Sequence, residues 1–124
     1  MPVIAYSDYF AKEGQKFQKA NDIAKAAENF TKSSQVSNKQ LKARGLLSLG
    51  TLYFNNGASI LQKATPYATS EKEKYEAEKA KALADFKKAQ DYLKQAATVE
   101  PTNEAVKETQ KQVAEAIAPL VEKK

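Results

Sequence analysis

Residues 41–54, Leu41-Lys42-Ala43-Arg44-Gly45-Leu46-Leu47-Ser48-Leu49-Gly50-Thr51-Leu52-Tyr53-Phe54, decide the fold. Six of the nine residues from Leu46 to Phe54 are large and apolar. On a helical wheel they leave only a narrow polar arc, made by Arg44, Ser48, Thr51 and Asn55. A helix that is apolar over most of its circumference must be packed on most sides. This segment therefore reads as the central helix of an all-α domain, with the rest of the chain wrapped around it.

The 124 residues suit one domain and one real core. There is no Cys and no His. That excludes disulfides, thiolate nucleophiles, imidazole acid–base chemistry and Cys/His metal sites. No apolar run approaches the ~18 residues of a membrane span. Lys12, Glu13 and Lys16 interrupt any signal-peptide core within residues 1–20. The compartment stays open: cytoplasmic, or exported (periplasmic) if a signal peptide has been removed. The net charge is +5, and all of the excess lies in residues 1–63. No acid occurs between Glu28 and Glu71, against Lys32, Lys39, Lys42, Arg44 and Lys63. A solvated lysine surface accounts for this run, and a patch for an acidic protein or nucleic acid is the sharper reading. A single Arg disfavours nucleic acid, because Arg is the better residue for bidentate phosphate and base contacts.

Taken in order, residues 1–6 read as an extended lead-in and Ser7 as the N-cap of a first helix ending near Asn21. Asp22 caps a second helix whose buried face is Ile23, Ala26, Ala27 and Phe30, and which ends near Val36. Ser37 and Asn38 open the central helix. Asn55-Asn56-Gly57 could stop it, yet Leu46, Tyr53 and Ile60 recur seven apart, as do Leu47, Phe54 and Leu61. The helix is therefore expected to run on to about Ala64. The Leu46 series is expected to be core. The Leu47 series packs on the last helix or a neighbouring molecule, or else floors a groove. Pro66 predicts a break at Thr65. Ser70-Glu71-Lys72-Glu73 has the spacing of a capping box for a fourth helix to Val99. A fifth helix is expected from Glu104 to Ala118, ended by Pro119.

Self-comparison finds a repeat. Phe10-x-x-x-Gly14-x-x-Phe17 matches Leu46-x-x-x-Gly50-x-x-Tyr53, with the glycines 36 residues apart. Each such helix is followed by a helix with a small-x-x-x-large pair, Ala26 with Phe30 and Ala89 with Leu93, and the second leads to Pro101. A small residue lets a partner helix come close, and the large one fills the groove beside it. The pattern resembles the tetratricopeptide repeat (TPR), with its Trp-x-x-Leu-Gly-x-x-Tyr, Ala-x-x-x-Phe and Pro positions. The resemblance implies a right-handed solenoid of about two repeats, residues 7–36 and 39–99, with residues 103–119 as a capping helix, five helices in all. It is nearest to bacterial proteins of this kind with an elongated hairpin. Phe17 to Ala26 spans nine residues, whereas Tyr53 to Ala89 spans 36. The second hairpin is thus longer by three to four turns per arm, or ~20 Å.

No P-loop, nucleophile elbow or dinucleotide glycine pattern is present. The acids are scattered and mostly pair with Lys one turn away. No enzyme activity and no cofactor or metal are expected. The resemblance implies a non-enzymatic protein-interaction module that takes a peptide or helix in a concave groove lined by the first helix of each repeat. By alignment those positions include Asp8, Ala11, Gln15 and Gln18, then Arg44, Leu47, Thr51 and Phe54. Lys12 flanks the groove, and Ser48 and Asn55 complete its polar arc. Ala11, Gln15 and Ser48 stand where the family's carboxylate-clamping variant has Lys and Asn, so that clamp is not expected. The hairpin tip with Tyr67 and Tyr75 is a second candidate surface, and the partner may be a second copy of the chain.

Overall fold

The apolar girth of residues 46–54 makes a helix that runs unbroken from Lys39 to Ala64. The computed structural model describes residues 2–121. It contains α1 (Val3–Lys19), α2 (Ile23–Ser34), α3 (Lys39–Ala64), α4 (Tyr67–Ser70), α5 (Lys72–Val99) and α6 (Glu104–Val121), with no strand among the described residues. The packing partners follow chain order: α1 on α2, α2 on α3, α3 on α5, and α5 on α6, with the α3/α5 contact the most extensive.

The turns are made by short polar side chains. Asn21 takes the left-handed conformation at φ 63°, which Asn tolerates better than most residues. This lets Asp22 N–H reach Phe17 O at 2.8 Å. The Asp22 carboxylate then accepts from Lys25 N–H, and Asn38 and Asn103 cap α3 and α6 in the same way.

Small residues hold the second hairpin shut. A Cβ added at Gly50 would stand 2.7 Å from Leu93 Cγ, and one at Gly57 would stand 2.8 Å from Phe86 Cε1. Ala89 and Ala82 are wholly buried one turn away on α5. The small-x-x-x-large unit thus occurs twice along this hairpin, and Gly57 is a contact point rather than a stop. In the first hairpin Gly14 faces the Phe30 ring, 2.6 Å from a Cβ added there. One core cluster joins Ala26, Phe30, Leu46, Leu49, Leu52, Ala96 and Val106. A second joins Ala82, Phe86, Ala89, Leu93 and Val113.

Four local expectations are corrected. First, α1 begins at Val3 behind Pro2, not at Ser7. The edge-to-face pair of Tyr6 and Phe10, one turn apart, supports this early turn. Ser7 is fully buried and is used in packing instead. Second, six helices are present rather than five, because the break after Ala64 contains the single turn α4. Thr65 stays helical before Pro66, and its hydroxyl donates to Leu61 O at 2.9 Å. Pro66 costs nothing at the start of a turn, where its missing N–H has no partner to lose. Third, the capping box does not form. Glu71 holds the N-cap position without a side-chain bond, since Ser70 is committed to α4 and donates to Pro66 O. Fourth, Pro119 lies inside α6, which is helical to Val121, the last described residue, although a proline there gives up its bond to the carbonyl four residues back.

Candidate binding surfaces on the central helix

Two opposite faces of α3 reach solvent between its neighbours. At 100° per residue, Leu47, Ser48 and Thr51 centre about 180° from Lys42, Leu46 and Leu49. The first set looks toward α1, and the second toward the junction of α2 and α5.

On the α1 side, Gln15, Gln18, Phe30, Leu47, Ser48 and Thr51 line a cleft of about 260 Å³. Five of the nine residues singled out in the sequence therefore meet in one place. Next to it, Gln18, Asn21, Ile23, Leu52, Asn55, Asn56 and Ser59 line a smaller cleft of about 210 Å³. Gln18 belongs to both, and Asn55 enters through the second. Lys12 is exposed on α1 and lines neither cleft. Phe54 is half-buried, with its ring 5.6 Å from that of Phe86. Leu47, Phe54 and Leu61 pack partly on the second core cluster, alongside Ala116, Ile117 and Leu120 of α6. The stripe is neither fully open nor fully covered.

Arg44 does a different job from the one the groove alignment implies. Its guanidinium donates to Ser7 Oγ at 2.8 Å and pairs with Asp8 Oδ1 at 2.8 Å. Ser7 Oγ contacts Ser33 O and Oγ, and Ser33 Oγ donates to Ser7 O at 2.9 Å. Both serines are wholly buried. Arg44 is thus a clamp that ties α3 to α1 through a satisfied polar network. Two of its five donors are used in this way, and the pair with Asp8 stands at the surface, where the carboxylate offsets the charge that Arg44 brings to the acid-free run. Lys42 likewise donates to Ser34 O, and Lys32 lies over the Phe10 ring at 5.2 Å.

The opposite face was not singled out from sequence. Thr31 and Ser34 of α2 with its C-cap Gln35, Lys42, Leu46 and Leu49 of α3, and Tyr92, Gln95, Thr98 and Val99 of α5 line a cleft of about 470 Å³. Tyr92 also lines a neighbouring cleft of about 430 Å³ with Tyr53, Ala84, Lys87, Lys88 and Asp91. The Tyr53 and Tyr92 rings stack, 5.9 Å apart and within 12° of parallel. Lys88 Nζ lies 5.2 Å from the Tyr53 ring centre. Burial pushes the Tyr53 phenol up from its ordinary range, and Asp85 adds to this. Burial also raises Tyr92, with contributions from Tyr53 and Asp91 that Lys88 opposes. The Leu46, Tyr53, Ile60 series is core only in part: Leu46 is buried, while Tyr53 and Ile60 pack against the core clusters and stay half-buried. On this side α2 flanks α3 at Leu46 and Leu49, and Tyr53 lines the neighbouring cleft with residues of α5. The seven-residue period that marks the stripe is the same for a buried seam and a half-open one.

Side by side with a solved protein, this arrangement is familiar. The chain aligns with the crystal structure of a TPR repeats protein from Bacteroides fragilis at TM-score 0.90 and 51% identity, over 93% of its own length. The chain is a bacterial TPR-like protein. It spans 51% of the length of that relative. No family model and no curated protein matches it. The TPR-like fold is typically a non-enzymatic scaffold and points to protein partners. Among the described residues, no group of His, Cys, Asp and Glu could hold a metal ion, and no helix is long and apolar enough to cross a membrane.

Proposed function

We propose that this TPR-like protein is a non-enzymatic scaffold that captures a peptide or a helix of a protein partner in the α1/α3 cleft. The observation that supports this is the convergence of Gln15, Gln18, Leu47, Ser48 and Thr51 on one open cleft between the first helices of successive pairs. Gln15 and Gln18 offer amide donors and acceptors that suit a peptide backbone. Leu47 offers apolar area to one side chain. Asn55 extends the site toward α2, while Lys12 and the exposed flank of Phe54 stand at its margins. Arg44 acts here by positioning α1 against α3, so that it shapes the cleft rather than contacting the ligand. In this reading α1–α2 and α3–α5 are the two repeat units and α6 is the cap.

The test is a pair of cleft-filling variants, Thr51→Trp and Gln15→Trp. Gln15 is exposed and Thr51 half-exposed, so both are expected to fold, as circular dichroism would show. Both should abolish retention of a cellular partner that the unaltered protein retains and that mass spectrometry identifies. A partner retained equally by both variants would rule this cleft out. Leu47→Asp is the complementary probe of the apolar flank.

A further inference from the structure

We infer that the α2/α3/α5 face is a second interaction surface, independent of the α1/α3 cleft, and that it takes an acidic peptide segment anchored by one large apolar side chain.

The two clefts meet at Tyr92, which lines both. The first has an apolar floor of Leu46, Leu49, Tyr92 and Val99 under a rim of Thr31, Gln35, Gln95 and Thr98. Its volume of about 470 Å³ lies within the usual range for ligand sites, roughly 300–1,000 Å³. The rim hydroxyls of Thr31, Ser34 and Thr98 are already bonded to backbone carbonyls of their own helices. What the first cleft offers an occupant is therefore mainly apolar area. That calls for a Leu, Phe or Trp side chain rather than a polar ligand.

Charge supplies the rest. The cations lining the two clefts are Lys42, Lys87 and Lys88, and the one lining acid is Asp91. Asp91 is itself held by Gln95 Nε2 at 3.0 Å. Lys42 has given one of its three donors to Ser34 O. A basic rim at both ends of an apolar trough complements a chain with acids on both sides of its anchor. The spacing can be read from α5. Gln95, beside the anchor cleft, and Lys88 are seven residues apart, which is ~10 Å along a helix. About three residues of extended chain cover that length. The occupant thus has a large apolar residue with an acid about three positions to one side and a second acid toward Lys42. Nucleic acid fits less well. The only Arg pairs with Asp8 and Ser7 on the far side of α3, and three lysines are few cations for a run of phosphates.

A random dodecapeptide library displayed on phage, selected on the full chain, tests this. Selection should enrich peptides with an acid about three residues from Leu, Phe or Trp. Synthetic copies should bind about tenfold more weakly to Gln95→Trp, which plugs the first cleft, and to the Lys87→Glu/Lys88→Glu variant. Thr51→Trp, in the other cleft, should bind them unchanged. Circular dichroism on each variant separates lost binding from lost fold, and all three sites are solvent-facing enough for the fold to persist. Backbone NMR shifts should map to Leu46, Tyr92 and Val99. The proposal is overturned if nothing is enriched, if enriched peptides lack the acid–apolar pairing, if Gln95→Trp binds them as well as the unaltered chain, or if oligothymidylate displaces them more readily than acidic peptide does. Loss with Thr51→Trp alone would assign the peptides to the α1/α3 cleft instead.

Discussion

The two hairpins of this protein are built on one packing unit and finished in different ways. The first pairs a 17-residue helix with a 12-residue one, and the second pairs 26 residues with 28. In each, a glycine on the first helix receives a large side chain from the second: Phe30 on Gly14, and Leu93 on Gly50. Seven residues beyond Gly50 the second hairpin repeats the unit, with Phe86 on Gly57. Seven residues before Gly14 the first hairpin has Ser7 facing Ser33, buried and hydrogen-bonded. The long hairpin is therefore an apolar zip. The short one ends in a polar knot that also recruits Arg44 and Asp8 and so ties α3 to α1. Length comes from repeating the apolar unit, while the polar one adds a tie of α1 to α3 beside the α2/α3 contact and the apolar cluster that the hairpins share.

The sharpest way to break this comparison is to empty the added unit. Phe86 is 1% exposed, so Phe86→Ala should cost about 3–5 kcal/mol. Urea denaturation of this variant should show the loss. If the distal part of the long hairpin is a separable unit, helicity will be lost in two steps rather than one.

Next comes the seam between hairpins. A Cβ at Gly45 would stand 2.6 Å from Ser34 Cβ and 2.7 Å from its Cα and N. Backbone cannot swing aside, so Gly45→Ala should destabilise by about 1–3 kcal/mol, despite the ~1 kcal/mol by which Ala favours an isolated helix. At Gly50 the nearest atoms are Leu93 Cγ and Cδ2, side chain rather than backbone. Gly50→Ala should therefore lower the melting temperature less than Gly45→Ala does.

The polar knot is probed by Ser7→Ala. It removes the hydroxyl that accepts from Arg44 and donates to Ser33 O, while Ser33 Oγ keeps Ser7 O and Arg44 keeps Asp8, for about 1 kcal/mol. If the knot docks α3 on α1, the α1 amides should exchange faster in this variant while the α5 amides hold. Equal acceleration in both hairpins would refute the division of roles.

The smallest effect is one of pH. Tyr53 and Tyr92, which join α3 to α5, have phenols raised above 10.0, mainly by burial. A raised folded-state value means that this contribution is whole below the unfolded value and fades as pH climbs through the folded one. Thermal stability should accordingly fall above pH 10, and less so in a Tyr53→Phe/Tyr92→Phe variant. An identical fall in both would show that the pair is not responsible.

Much of the fold was legible because its signals are local. The glycine-to-glycine spacing, the Ala-x-x-x-Phe and Ala-x-x-x-Leu pairs, and the Asp22 and Asn38 caps all act within one helix or one turn. Gly57 misled in part because a glycine at a stop and a glycine at a contact look alike until the facing Phe86 is known. The capping box misled because Ser70 was already committed to the preceding turn. Of the α1/α3 cleft, Gln15, Gln18, Leu47, Ser48 and Thr51 could be named by repeat alignment. The larger cleft beyond α3 could not, since its walls come from three helices whose lining residues, such as Ser34, Gln95 and Val99, follow no common period.

By itself the sequence determined an all-helical chain, its repeat, the extra length of the second hairpin and the lack of any thiol or imidazole. These depend on composition, on periodicity within one helix and on small residues at close contacts. Only the tertiary structure decided which residues of the Leu46–Tyr53–Ile60 and Leu47–Phe54–Leu61 stripes stay half-open, that Arg44 pairs with Ser7 and Asp8, and that Tyr53 and Tyr92 stack between two clefts. A helix carries its apolar faces in its own sequence. What covers them is set by helices distant in the chain, and burial and charge pairing are properties of that assembly.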